Sequence, residues 1–190
     1  GIITGGVYKD TALLKKGFPG ESITNSSVIL IKTHRWGMKE RAKYKRAVLL
    51  LRNPYDALIA EFNRLHGGHV GHASDLDFKS KWTKYFKKVS DKWVKMNHDW
   101  LQFSGPLYVI RYENLVLNPV KEVKDLMSFL DVPVPFREYC VLENLNGKHK
   151  RKQMNKKRNN LFPTTVRKKL DADIAKIEHE ISKATMNRKP

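Results

Sequence analysis

With 190 residues, 41% of them hydrophobic and 10% aromatic, the chain has ample apolar material for one packed core. Thirty-seven Lys and Arg against 19 Asp and Glu give a formal net charge of +18, which favours anionic partners without separating a nucleotide from an acidic glycan, nucleic acid or a membrane surface. The single cysteine, Cys140, excludes an internal disulfide and a thiolate metal cluster and reads as a small buried hydrophobe.

No segment approaches the ~18 apolar residues of a membrane span, and the opening GIITGGVYKD is neither a signal peptide nor an initiator sequence, so the chain reads as a piece of something longer. Asn25-Ser26-Ser27 satisfies the N-x-S glycosylation pattern. Strands and helices then alternate without internal repeat, which predicts an α/β fold with a mainly parallel sheet.

The first predicted strand is the apolar run Val28 to Ile31, which stops at Lys32-Thr33-His34. The second, Ala47 to Leu51, runs into Arg52-Asn53-Pro54. Both runs have the purity of strands buried on two faces. Pro54 suits the first turn of a helix, in which Tyr55, Leu58, Ile59, Phe62 and Leu65 make one apolar face. The following loop places His66, His69 and His72 three residues apart. Its three glycines and the lack of a fixed fourth ligand favour a structural or acceptor-binding loop over a metal site.

A long helix is predicted from about Phe78 to Phe103, with Phe78, Trp82, Phe86, Val89, Trp93, Met96 and Trp100 on one side and many lysines on the other. An aromatic stripe at this spacing reads as core packing. Gly105-Pro106 introduces a third strand, Leu107 to Ile110, ending in Arg111-Tyr112-Glu113. Asn118-Pro119 starts a helix that ends by Val132-Pro133-Val134-Pro135. Lys148 to Arg158 then carries seven Lys and Arg and no acid, and a last helix spans roughly Pro163 to Lys183.

Ligands of open α/β sheets gather beyond the carboxyl ends of the strands. Any one of the three strand ends, taken alone, reads better as a solvated terminus. Taken together they offer cations, an imidazole and an aromatic ring, a set suited to a nucleotide with several anionic groups. Arg52 can grip a phosphate bidentately beside a helix N-terminus, Tyr112 can stack on a base, and His34 can accept a proton near neutral pH.

Lys32-Thr33-His34 at a strand end, followed by Ala47 to Leu51 running into Arg52-Asn53-Pro54 and its helix, resembles the sulfotransferase family. Tyr112-Glu113-Asn114-Leu115, ending near Asn118-Pro119, is similar to that family's tyrosine-plus-acid segment. RNPYDALIAEFNRLHGGHVGHAS and the tryptophan-rich helix after it are similar to the C-terminal sulfotransferase domain of the WSC domain-containing proteins, which are Golgi membrane proteins. The likeness covers nearly the whole chain.

The resemblance implies a P-loop-NTPase-like three-layer fold with a mainly parallel sheet, incomplete at the N-terminus, so that residues 1–190 are a partial domain containing a basic loop at 147–160. It implies 3′-phosphoadenosine 5′-phosphosulfate (PAPS) as sulfonate donor without a metal, and a hydroxyl acceptor, such as that of a glycan. It also implies a lumenal Golgi location with any membrane anchor outside this chain, and no nucleic-acid partner.

By the same resemblance His34 is the catalytic base and Lys32 stabilises charge on the bridging oxygen. Arg52 binds the 3′-phosphate and Tyr112 contacts the adenine. Lys148, Lys150 and Arg151 fall where relatives place a loop covering the 3′-phosphate. Two positions depart from the pattern. Ala60 stands where the family has a phosphate-binding serine, with Asn63 a candidate substitute. No strand, glycine-containing loop and helix are expected before Val28, so the isolated chain is expected to be poorly stable and catalytically silent, and its intact parent active.

A non-catalytic nucleic-acid or polyanion-binding module would account for the charge, but it leaves the strand ends unexplained. A phosphoryl-transfer kinase would need a magnesium-binding Ser or Thr and a strand-end aspartate that the sequence does not offer.

Overall fold

The computed structural model describes residues 4–15, 17–132, 138–143, 145, 151 and 161–186. They divide into two units, Gly1–Trp36 and Gly37–Pro190.

In the first unit β1 (Gly5–Gly6) pairs in parallel with β2 (Ile31–Lys32), and α1 (Thr11–Lys15) lies between them in sequence. The Gly5 N–H donates to the Leu30 carbonyl at 2.6 Å and the Val7 N–H to that of Lys32 at 3.1 Å. A Cβ on Gly5 would stand 2.3 Å from the Ile23 carbonyl oxygen, which is why glycine occupies this strand. The predicted strand over 28–31 is therefore clipped to Ile31–Lys32. Its partner offers only two residues of ladder, and residues 28–31 are half-buried instead of covered on both faces. A strand, connection and helix do precede Val28, contrary to expectation. The connection, residues 7–10, holds no glycine. It ends in Asp10, whose carboxylate accepts the Ala12 and Leu13 N–H groups at 2.9 and 3.1 Å and so starts α1.

In the second unit β3 (Ala47–Leu51) and β4 (Leu107–Arg111) pair in parallel from Ala47↔Leu107 to Leu51↔Arg111. Parallel neighbours need a crossover, supplied here by α3 (Pro54–Gly67) and α4 (Asp75–Leu101). Among the described residues each unit thus holds a two-stranded parallel sheet, in keeping with the α/β class and the parallel pairing expected.

Local chemistry sets the helix ends. The Asn53 side chain accepts the Tyr55 N–H at 3.0 Å with Pro54 in the first turn of α3. Helix α4 begins three residues before the predicted Phe78 because Ser74 and Asp77 form a reciprocal capping box. Hydrogen bonds from Lys81 and then Ser74 hold the Asp77 carboxyl well below the usual carboxylate range.

The aromatic stripe of α4 is core, as predicted. Phe78, Trp82 and Phe86 pack with Leu58 and Phe62 of α3 and with Phe162 and Leu170. Trp100 and Leu101 pack with Ala47, Leu49, Leu51, Ile177 and Ile181. Leu170, Ile177 and Ile181 belong to α8 (Thr164–Met186), which thereby ties both clusters together. Only one face of β3 joins the core. Leu50 on the other face is 54% exposed, which corrects the expectation of burial on both sides.

Three further helices had no strong periodic signal. They are α2 (Met38–Arg41), α5 (Tyr112–Leu117) and α7 (Glu138–Glu143). Asp99 of α4 anchors α2 by accepting the Gly37 N–H at 2.7 Å and by pairing with Arg41. The predicted helix after Asn118 is α6 (Pro119–Phe129).

Candidate active site

Because β3 and β4 run parallel with Leu51 opposite Arg111, the next residues of the two strands, Arg52 and Tyr112, leave the sheet side by side. The Arg52 guanidinium carbon lies 4.2 Å from the centre of the Tyr112 ring, a cation–π contact. The Arg52 carbonyl accepts the Trp93 indole N–H at 3.0 Å, and the Asn53 N–H donates to Glu113 Oε1 at 2.9 Å. Side-chain hydrogen bonds from α4 and from the start of α5 to the backbone thus hold the β3–α3 junction in place. The Arg52 Nε is buried and has no hydrogen-bond partner among the described residues.

That junction opens the 14-residue α3, whose first N–H groups carry the positive end of the helix dipole. A guanidinium with an unused buried donor, an aromatic ring and a helix N-terminus together suit a phosphate bearing an adjacent planar base. Arg111 is engaged elsewhere. It pairs with Glu178 of α8, and that hydrogen bond raises its pKa further.

In the first unit Lys32 is exposed at the end of β2. Two residues on, the His34 ring stacks on Tyr8 with centroids 6.1 Å apart and planes 30° from parallel. The Arg35 guanidinium lies 5.5 Å from the centre of the same Tyr8 ring. Thr33 Oγ1 accepts the Arg35 N–H at 3.0 Å and turns the chain at this point.

Arg151 is placed at the other end of α3. Its Nε donates to the Gly71 carbonyl at 2.7 Å, and Nη2 donates to Gly68 and His69 at 3.0 and 3.2 Å. Its Nη1 lies 3.5 Å from the Ala60 carbonyl, which is eight residues or roughly 12 Å along the chain from Arg52, so Arg151 is not brought beside Arg52. Lys148 and Lys150 lie outside the described residues. Asn63 is also committed elsewhere: it is buried, and its Oδ1 accepts the Ala73 N–H at 3.0 Å. It braces the histidine-bearing loop and does not reach toward the Arg52 junction. Within that loop His66 Nδ1 lies 3.0 Å from the Phe62 carbonyl oxygen. A Cβ on Gly67 would stand 2.5 Å from the His72 backbone, so the loop closes tightly on itself.

Sequence reasoning gave Trp93 only a packing role, yet its indole N–H supports the Arg52 backbone. Nothing in a stripe of aromatic residues distinguishes one whose edge carries a second task. Glu113 was visible only as part of a segment, and Tyr8 carried no signal at all.

A parallel strand pair that delivers an arginine to a helix N-terminus, with an aromatic ring beside it, lies where open α/β sheets hold anionic ligands. Residues 45–136 match the model of the sulfotransferase family. The chain is 46% identical over 139 residues to a WSCD family member of Drosophila melanogaster, covering 70% of this chain and 44% of that protein. It is 47% identical over 139 residues to one of Drosophila pseudoobscura pseudoobscura, with the same coverage. To one of Aedes aegypti it is 41% identical over 159 residues, covering 80% of this chain and 50% of that protein. Over residues 45–136 the chain is similar to the sulfotransferase family, and it is related to the WSCD family members. It spans about half the length of the curated relatives it matches.

Proposed function

We propose that this chain contributes to an enzyme that transfers a sulfonate group from PAPS to a hydroxyl of a carbohydrate, in the lumen of the Golgi. The observation that carries the reading is the buried, unpartnered Nε of Arg52 at the β3–α3 junction beside Tyr112. An orphaned guanidinium donor at a helix N-terminus fits a phosphate group, and that is the donor chemistry of the family to which the chain is similar.

When bound, PAPS supplies a sulfonyl group whose bond to the bridging phosphate oxygen breaks as the acceptor oxygen bonds to sulfur. Arg52 holds the 3′-phosphate through its guanidinium N–H groups, aided by the α3 dipole. Tyr112, stacked against that guanidinium, contacts the adenine. Lys32 stabilises charge developing on the leaving oxygen, and a ring nitrogen of His34 takes the acceptor's proton. Lysine and arginine do the neutralisation that a kinase assigns to magnesium.

The test uses the full-length parent protein. His34→Ala should abolish sulfonate transfer while PAPS affinity stays within about twofold of the wild type. A variant that retained a near-normal rate would remove His34 from the role of base. Donor affinity lost together with rate would reassign it to binding.

A further inference from the structure

We propose that the exposed lysine face of α4 is a docking surface for a linear sulfated or carboxylated polysaccharide. From Lys79 to Lys95 the chain holds seven lysines, one aspartate, no glutamate and no arginine. Lys84, Lys87, Lys88, Lys92 and Lys95 are all exposed, and none has an ion-pair partner among the described residues. Asp91, the acid in their midst, is taken by Lys169 of α8 at 2.8 Å, and Lys169 also reaches Asp173 at 2.9 Å. Acids of α8 are matched in the same manner, Glu178 to Arg111 of β4 and Glu180 to a ring nitrogen of His98. The α4 lysines stand apart from this pattern.

Their spacing places like charges one turn apart at 84/87, 84/88, 88/92 and 92/95, an arrangement that destabilises a helix unless an anion lies along it. The row from Lys84 to Lys95 runs roughly 16 Å, about three turns with a cation on each. A chain with regularly repeated anionic groups satisfies such a row, whereas a small anion engages one or two members of it.

The face also selects among polyanions. Of the aromatic side chains of α4, Phe78, Trp82, Phe86 and Trp100 are buried and Tyr85 and Trp93 are packed against the clusters, so no exposed ring stands beside the lysines for bases to stack on. Without arginine it lacks the planar fork that grips phosphodiesters. No large hydrophobic residue between 79 and 95 is exposed, so nothing there inserts into a bilayer. Lysine point charges on a flat polar face fit sulfate and carboxylate groups spread along a sugar chain.

Titration of the full-length parent protein with a heparin octasaccharide, without any nucleotide, tests this independently of the transfer chemistry. Lys84→Gln/Lys88→Gln/Lys95→Gln should weaken binding at least about tenfold near 0.1 M salt and flatten the salt dependence by about two units of slope. The charge-matched control Lys9→Gln/Lys39→Gln/Lys124→Gln should change affinity less than about twofold. Lys84→Arg/Lys88→Arg/Lys95→Arg should retain binding. Equal losses in the two glutamine variants would mean that net charge alone attracts heparin and would overturn the proposal. So would tighter binding to a single-stranded oligonucleotide or to phosphatidylserine vesicles at matched anion concentration, or no binding to heparin.

Discussion

Arg52 owes its position to three neighbours that are distant in the chain: Tyr112 across the sheet, Trp93 beneath its carbonyl and Glu113 on the following N–H. Replacing it with lysine keeps the charge but removes the fork and the ring contact. Arg52→Lys in the full-length protein should raise the KM for PAPS by about ten- to a hundredfold. Trp93→Phe keeps the ring volume and loses only the indole donor, so it should give a smaller rise in the same direction. Competition with nucleotides that carry or lack the 3′-phosphate checks the assignment, because only the former should discriminate wild type from variant.

Tyr55 shows how a residue's titration reports its packing. Burial, then a hydrogen bond to Asp171, pushes its phenol up to about 12, and the O–H donates to that carboxylate at 2.8 Å. A raised pKa means that the protonated phenol is the form the fold favours. The stabilisation is fully present below pH 10 and is lost as pH rises toward 12. Burial also raises Tyr85 and Tyr108, so ultraviolet titration should show several tyrosinates appearing late in the native chain, and Tyr55→Phe should reduce the late amplitude by one tyrosine.

At the scale of elements, α4 depends on its cap. Ser74→Ala removes the oxygen that accepts the Asp77 N–H and should cost about 1 kcal/mol in urea unfolding, whereas Ser74→Gly should cost only a few tenths. The loop between α3 and α4 depends on Arg151 and Asn63. Asn63→Ala removes a buried acceptor and should destabilise by roughly 1–3 kcal/mol. Both changes fall on elements whose partners lie elsewhere than the Arg52 junction, so neither should shift the discrimination between 3′-phosphorylated and unphosphorylated nucleotides.

Across the whole molecule, the second unit is held by two long helices, α4 and α8, that are shared between its two clusters. Phe62 is 0% exposed and touches Phe78 and Trp82 with ring centroids 4.6 and 5.2 Å apart. Phe62→Ala should therefore cost about 3–5 kcal/mol and shift the denaturation midpoint of that unit. Surface charge acts at the same scale but with the opposite sensitivity. A net charge of +18 makes association with polyanions fall steeply with salt, whereas the apolar clusters respond little.

Residue order by itself determined what each element hides. The periodic aromatics of α4, the Asn53-Pro54 helix start and the apolar run of β3 all read correctly because burial and capping act within one or two turns. That same local logic located Arg52 and Tyr112 at strand ends. It placed neither Trp93 beneath Arg52 nor Arg151 across the glycine loop, whose partners are 41 and about 80 residues away. It also overestimated the first strand, whose length follows from the two-residue partner it meets, and the burial of β3, where Leu50 faces outward. Those outcomes were decided by tertiary structure alone. Periodicity records which face of an element avoids water, but the group that satisfies a given N–H, carbonyl or guanidinium is chosen only when distant segments pack against one another.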